Sequence, residues 1–216
     1  MAKRSMYKNA VELGGFALLS IGLIAVFHLL TKDQIAAEMQ AKLARTLGEL
    51  IEPTEYNNDV YHDCIAIDSN GVLTLKGKTL FYRMEMDQKP VAAMFTVTAP
   101  DGYSGAIDLI MAIRFDESIA GVRVIQHNET PGLGDKIEPR KSDWIKQFEG
   151  LNFSLVPQEN WKVKKDGGSF DGFTGATITP RAVLKAIEKG LSYFVTHKQE
   201  IFTTPTNCGG DNSNDN

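Results

Sequence analysis

Cysteine is nearly absent, with Cys64 and Cys208 alone among 216 residues. That excludes a Cys-rich zinc or iron–sulfur site built from this chain by itself. The two could pair in an oxidising compartment, but Cys208 falls in a small, polar tail, and no disulfide is expected. An excess of one charge is also missing: 23 Lys and Arg stand against 27 Asp and Glu. The basic residues are scattered apart from short pairs such as Lys164-Lys165, so no nucleic-acid partner is expected. Neither G-x-S-x-G nor G-x-x-x-x-G-K-[ST] occurs, which removes an α/β-hydrolase and a P-loop enzyme. His62, His127 and His197 lack metal-ligand spacing, and Asp87, Asp101, Asp108, Asp116 and Glu117 form no EF-hand loop, so no metal site is expected.

What the chain does contain is a 43% apolar composition, that of a globular protein with one main core. It also has one long apolar run. The 18 residues from Leu13 to Leu30 carry no formal charge; as a helix they would extend about 27 Å, close to the roughly 30 Å hydrocarbon core of a bilayer. Lys3, Arg4 and Lys8 precede the run with Glu12, whereas Lys32 follows it beside Asp33 and Glu38. This bias puts the N-terminus in the cytoplasm and the rest of the chain outside. The run exceeds the apolar region of a signal peptide, and "LLTKDQIAAE" offers no small-x-small site, so an uncleaved anchor is expected.

Beyond the run, Ile35, Met39, Leu43, Leu47 and Leu50 or Ile51 recur at steps of three and four, a helical stripe. From Val60 to Ile137 short β-rich segments alternate with turn signals, which predicts an antiparallel meander. "SDWIKQFEG" predicts a short helix capped by Ser142 or Asp143 and closed by Gly150, and Thr179 to about Gln199 predicts the final helix. The fold class is α+β: a twisted antiparallel sheet with packing helices, preceded by one N-terminal transmembrane helix. The expected divisions are a cytoplasmic N-terminus over 1–12, an anchor over 13–31, an extracytoplasmic domain over 32–202 and a disordered tail over 203–216.

The stretch "DGFTGATITPRAVLKAI", Asp171 to Ile187, carries the chemistry. Thr179 suits an N-cap and Pro180 a first helical position. Neither accounts for Thr174, Gly175, Ala176 and Thr177 ahead of them. A helix N-terminus has free N–H groups and a partial positive charge, so a phosphate is stabilised there, and Gly175 and Ala176 let a ligand approach the backbone. The residues alone leave three readings open: a phosphate held reversibly, a phosphate esterified to a hydroxyl, and a plain capped helix start.

Asp171-Gly172-Phe173-Thr174-Gly175-Ala176-Thr177 resembles the D-x-x-[ST]-G-A-[ST] flavinylation motif, with Thr174 where serine is common. In that motif a flavin transferase uses FAD to attach FMN through its phosphate to the last hydroxyl. Together with the anchor, the small α+β domain and "HNETPGLGDKI", His127 to Ile137, the chain resembles the G subunit of the Rnf-type electron transport complex. That family is similar to the C subunit of the sodium-translocating NADH:quinone reductase, from which the compact length separates this chain.

The resemblance implies FMN covalently bound to Thr177, with Asp171, Thr174, Gly175 and Ala176 around it. It also implies flavin contacts from Glu129, Thr130, Gly132, Leu133 and Gly134, where the residues by themselves read as a loop. Tyr103 and Ser104, in what otherwise reads as a turn entering a strand, are implied as further pocket residues. No catalytic residue is expected, because the flavin carries the redox chemistry. The implied protein is an electron carrier rather than an enzyme alone, one component of an ion-translocating ferredoxin/NAD oxidoreductase. Its implied partners are the other membrane subunits and, during maturation, the flavin transferase. The alternatives are an anchored extracytoplasmic module that binds a phosphate ligand reversibly, and the homologous subunit of the sodium-translocating reductase.

Overall fold

The computed structural model of the chain describes residues 9, 12–28, 30–31, 46, 48–75 and 77–208, in two compact units, 1–46 and 47–216. In the first unit residues 12–28 are helical, with exposed apolar side chains such as Phe16, Leu19, Ile24 and Phe27. Ser20 donates to the Phe16 carbonyl at 2.8 Å and Thr31 to that of Phe27 at 2.7 Å, so these hydroxyls are satisfied within their own segment. Among the described residues no helix is long and apolar enough to cross a membrane. Leu29 of the expected anchor lies outside the described residues, as do Ile35, Met39, Leu43 and Leu47 of the expected stripe.

The second unit is a five-stranded antiparallel meander in the order β1 (Cys64–Asp68), β2 (Lys78–Met86), β3 (Lys89–Ala99), β4 (Ile107–Arg114) and β5 (Ile119–Gln126). Alternation sends Phe81, Phe95, Val97, Leu109, Met111 and Val122 to one buried face. The C-terminal helix, Ile178–Thr203, packs there through Val183, Leu184, Ile187, Leu191 and Phe194, a stripe at steps of three and four. Phe194 stacks on Phe95 at 6.4 Å between centroids. A Cβ on Gly190 would stand 2.7 Å from Met111 Sδ and 3.0 Å from Val97 Cγ1, so a glycine is what lets helix and sheet approach. On the opposite face Met84, Ala92, Met94 and Ala112 are buried too. The segment before β1 reaches this side, with Leu50 Cδ2 only 2.6 Å from where a Gly121 Cβ would be and Glu55 paired with Arg114.

Between β5 and the C-terminal helix the chain forms 3-10 turns: Gly134–Ile137, Asp143–Phe148, Gln158–Asn160 and Lys164–Asp166. The helix expected in "SDWIKQFEG" is one of them, with Ser142 accepting from Trp144 N–H at 3.1 Å and Gly150 at φ 79° behind it. Aromatic contacts fasten these turns to one another: Trp144 to Phe148 (5.2 Å) and Phe173 (4.9 Å), and Phe170 to Phe148 (5.2 Å) and Trp161 (5.1 Å).

The chain end corrects an expectation. Cys64 and Cys208 form a disulfide, with Cα atoms 5.6 Å apart, and Thr204–Cys208 run beside β1 rather than standing free. Asn207 accepts from Ala66 N–H at 2.6 Å, and its own N–H reaches the Cys64 carbonyl at 3.3 Å. Arg83, paired with Asp63, donates to the Thr204 carbonyl (2.6 Å) and the Thr206 hydroxyl (2.8 Å). An argument from apolar content overlooks this, because polar groups meeting an open strand edge are what hold the segment. The remainder of the expected disordered tail, 209–216, lies outside the described residues.

Candidate functional site

The strap leading into the C-terminal helix is fixed at its base. Phe173 is buried against Trp144, whose indole N–H donates to the Asp171 carbonyl at 2.7 Å. The chain then reverses in a turn closed by Ala176 N–H to the Phe173 carbonyl at 3.3 Å, with Gly175 at φ 83°. Glycine is favoured at the third position of such a turn because a side chain is strained at positive φ. Thr174, Gly175 and Thr177 are left exposed, and Ala176 is half-buried.

The helix starts earlier than expected. Thr177, not Thr179, is the N-cap residue, and its side chain makes no capping hydrogen bond. Pro180 is therefore third in the helix rather than first, still among the four positions whose N–H has no helical partner. Thr179 is buried, and its hydroxyl donates to Glu129 Oε2 at 2.5 Å.

Glu129 joins three segments. It is 5% exposed, and its other oxygen accepts the Ser104 N–H at 3.1 Å. Gly134 and Gly102 make room for it: an added Cβ would stand 2.7 Å from Oε2 at the first and 2.9 Å from Oε1 at the second. Its backbone N–H donates to His127 Nδ1 at 3.0 Å. An Nδ1 that accepts leaves the proton on Nε2, which lies 3.1 Å from Glu138 Oε1 and so donates to it. That hydrogen bond, opposed by some burial and aided by Arg140, holds the Glu138 carboxyl below its usual range. Both ring nitrogens of His127 are thus hydrogen-bonded.

Around this hub lies a cavity of about 330 Å³, lined by Tyr103, Glu129, Thr130, Leu133, Gly134 and residues 175–179. Its rim is apolar, with Tyr103, Leu133 and Ile178 all exposed. A second cavity of about 350 Å³, lined by Val163, Lys165, Gly172, Phe173, Thr174, Gly175, Thr177 and Pro180, borders it. Gly175 and Thr177 line both.

Most residues singled out in the sequence therefore meet here. Tyr103, Glu129, Thr130, Leu133, Gly134, Gly175, Ala176 and Thr177 share the first cavity, and Thr174 lines the second. Three stand back from both. Ser104 contributes its backbone to Glu129, Gly132 turns the loop at φ 78°, and the Asp171 carboxylate pairs with Lys164 at 2.8 Å. Sequence reasoning missed Ile178 and Lys165 as lining residues, and it gave Thr179 to the cap. Ile178 is the first apolar residue after the motif, a signal that was there to read. The Thr179–Glu129 bond, 50 residues apart, left none. Among the described residues no group of three His, Cys, Asp or Glu is placed to hold a metal ion.

The residues suit a flavin mononucleotide on structural grounds. The first cavity is within the roughly 300–1,000 Å³ usual for such ligands. Its exposed apolar rim offers contact to an aromatic ring, and Thr177, itself exposed, lines the cavity. A Cβ at Gly175 would come into ordinary contact with Leu133, 3.5 Å from its Cδ2, at a positive φ that side chains rarely adopt.

Comparison with known proteins agrees. Residues 102–192 match the family described as FMN-binding domain, and residues 1–50 match the RnfG N-terminal region. The chain is 43% identical over 206 residues to the G subunit of the ion-translocating oxidoreductase complex of Pseudoalteromonas atlantica, covering 95% of this chain and 96% of that one. It is 42% identical over 210 residues to the protein of the same name in Shewanella piezotolerans, covering 97% and 99%. To that of Vibrio atlanticus it is 43% identical over 204 residues, covering 94% and 97%.

Proposed function

We propose, on the premise that this chain belongs to the family of G subunits of ion-translocating oxidoreductase complexes, that it is an electron carrier whose FMN is esterified through its phosphate to Thr177. The observation that carries this reading is Thr177, an exposed residue that lines both cavities and whose side chain makes no capping hydrogen bond to the helix it precedes. In the attachment, a phosphorus–oxygen bond forms between the FMN phosphate and Thr177 Oγ1. The pyrophosphate bond of FAD breaks, AMP leaves, and the hydroxyl proton is lost. A flavin transferase performs the step, and exposure of Thr177 admits it.

Bound there, the flavin supplies one- and two-electron transfer. The chain's own residues hold and shield it. The N-terminus of the C-terminal helix favours the single negative charge that a phosphodiester keeps. Leu133, Tyr103 and Ile178 supply apolar contact, and the Glu129–Thr179 bond keeps the loop that bears Leu133 at a fixed distance from the strap that bears Thr177. Covalent attachment also prevents loss of the cofactor outside the cytoplasm.

The N-terminal apolar stretch is the membrane anchor in this reading, with the N-terminus cytoplasmic and the flavin domain extracytoplasmic. The exposed apolar side chains of residues 13–28 support it, because lipid is the solvent that suits them. Partner subunits carry the ion pathway and exchange electrons between ferredoxin and NAD, since a single span has no room for a channel.

The test is in-gel flavin fluorescence of the full chain co-expressed with a flavin transferase and denatured. The wild type is expected to fluoresce and Thr177→Ala to be dark, with intact mass identifying FMN. Because Thr177 makes no capping bond, Thr177→Ala should change stability by less than about 0.5 kcal/mol. Two dark bands beside an active transferase would return the chain to reversible phosphate binding.

A further inference from the structure

The two cavities that meet at Thr177 differ in charge. The first contains no cation and presents the Glu129 carboxylate, so a phosphodiester placed there would face a like charge. The second has Lys165 as its one cationic lining residue.

Lys165 also carries no salt bridge, in contrast to Lys164, Arg181 and Lys185 around it. Lys164 is paired with Asp171 at 2.8 Å, Arg181 with Asp166 through two contacts of 2.6 Å, and Lys185 with Asp101 at 2.9 Å. Among the described residues the Lys165 side chain forms no salt bridge or hydrogen bond, and the carboxylate it acts on electrostatically, Asp166, is already held by Arg181. Its sequence neighbours hold the turn that presents it. Asp166 is fastened to the C-terminal helix by Arg181, Lys164 N–H donates to the Phe170 carbonyl at 2.7 Å, and Gly167 at φ 81° closes the turn. An exposed lysine on a braced turn, with every adjacent carboxylate already taken, is placed for an anion that is not part of the chain.

We propose that Lys165 is the counter-ion of the phosphodiester on Thr177. The phosphate lies in the cavity of Lys165, Thr174 and Pro180, and the aromatic ring in the cavity of Tyr103, Leu133 and Ile178. This rests on the covalent-flavin reading and adds the direction in which the cofactor is laid across Thr177. Lys165 is a positioning residue; it touches the phosphate and takes no part in electron transfer.

The experiment is a cycle on the full chain in detergent: wild type, Lys165→Gln and Lys165→Arg, each with and without covalent flavin, melted at low and high salt. Loss of a partly exposed ion pair should lower the midpoint of the flavin-bound Lys165→Gln protein by about 2 °C at low salt. Without flavin it should match the wild type, and at about 1 M salt the gap should close by screening. Lys165→Arg should restore the bound-state midpoint. The 31P resonance of the phosphodiester should move in Lys165→Gln and remain near its wild-type position in Lys165→Arg. Equal midpoints in the two flavin-bound proteins, an equal loss with and without flavin, or an unmoved 31P resonance each overturn the assignment and leave the covalent flavin standing. A wild-type chain that accepts no flavin from an active transferase overturns the covalent reading, and this inference with it.

Discussion

A carboxylate as buried as Glu129 is tolerated only where its oxygens find donors, and here they are the Thr179 hydroxyl and the Ser104 N–H. Replacing it with glutamine keeps the shape but turns an NH2 group toward one of those donors. Glu129→Gln is expected to cost about 1–3 kcal/mol, read as a lower urea midpoint at unchanged slope. A loss within the noise of the transition would show that the hub adds nothing. Glu138 offers a pH test. Its carboxyl is held below the ordinary value of 4.5 in the folded chain, chiefly by the His127 hydrogen bond. For a carboxylate with a depressed folded pKa, the stabilisation is complete above the unfolded value and is lost as pH falls through the folded one. Thermal midpoints followed from pH 7 to 3 should therefore drop less steeply in Glu138→Gln than in the wild type below about pH 4.5. Parallel curves would mean that the His127–Glu138 contact contributes nothing.

At the scale of elements, the C-terminal helix does two jobs. Its apolar stripe closes the core on one face of the sheet, and its first turn brings Thr177 and Thr179 to the site. Its last turn delivers Thr204–Cys208 to the open edge of β1, where Asn207 supplies the hydrogen bonds a neighbouring strand would make. The disulfide then joins residues 144 apart in sequence. Such a crosslink restricts the unfolded chain, and its loss in Cys208→Ser is expected to cost about 2–4 kcal/mol. The wild type should melt lower when reductant is added, and Cys208→Ser should melt at that lower value with or without it. Insensitivity of the wild type to reductant under denaturing conditions, with both thiols open to alkylation, would rule the crosslink out.

At the scale of the whole molecule, the chain divides into an N-terminal unit that contains the apolar helical run and a second unit that starts at residue 47. Leu50, Ile51 and Val60 are buried within the second unit, so it holds its own beginning in place. The reading of the first unit as an anchor has a direct consequence. The full chain should remain with membranes through high salt and alkaline carbonate, whereas a chain starting at residue 47 should be soluble and keep the thermal midpoint of the full chain's flavin domain. Release of the full chain by carbonate would reduce the N-terminal unit to a peripheral contact.

The sequence by itself determined whatever depends on local periodicity. Side chains alternate along a strand and return every three to four residues along a helix, so the meander and the C-terminal helix were legible in the order of apolar residues. The candidate site was legible where its parts are contiguous: Thr174 to Thr177 lie side by side in the sequence and line neighbouring cavities. Tertiary structure decided the pairings between distant residues. Thr179 reads as a cap until Glu129 comes within reach of its hydroxyl, and Lys165 reads as half of a basic pair until Asp171 takes Lys164 and Arg181 takes Asp166. Cys208 reads as a free tail residue until Asn207 and Arg83 lay its segment along β1. The physical reason is the same each time: a polar side chain has several local partners of nearly equal merit, and only the folded chain determines which donor and which acceptor are left for each other.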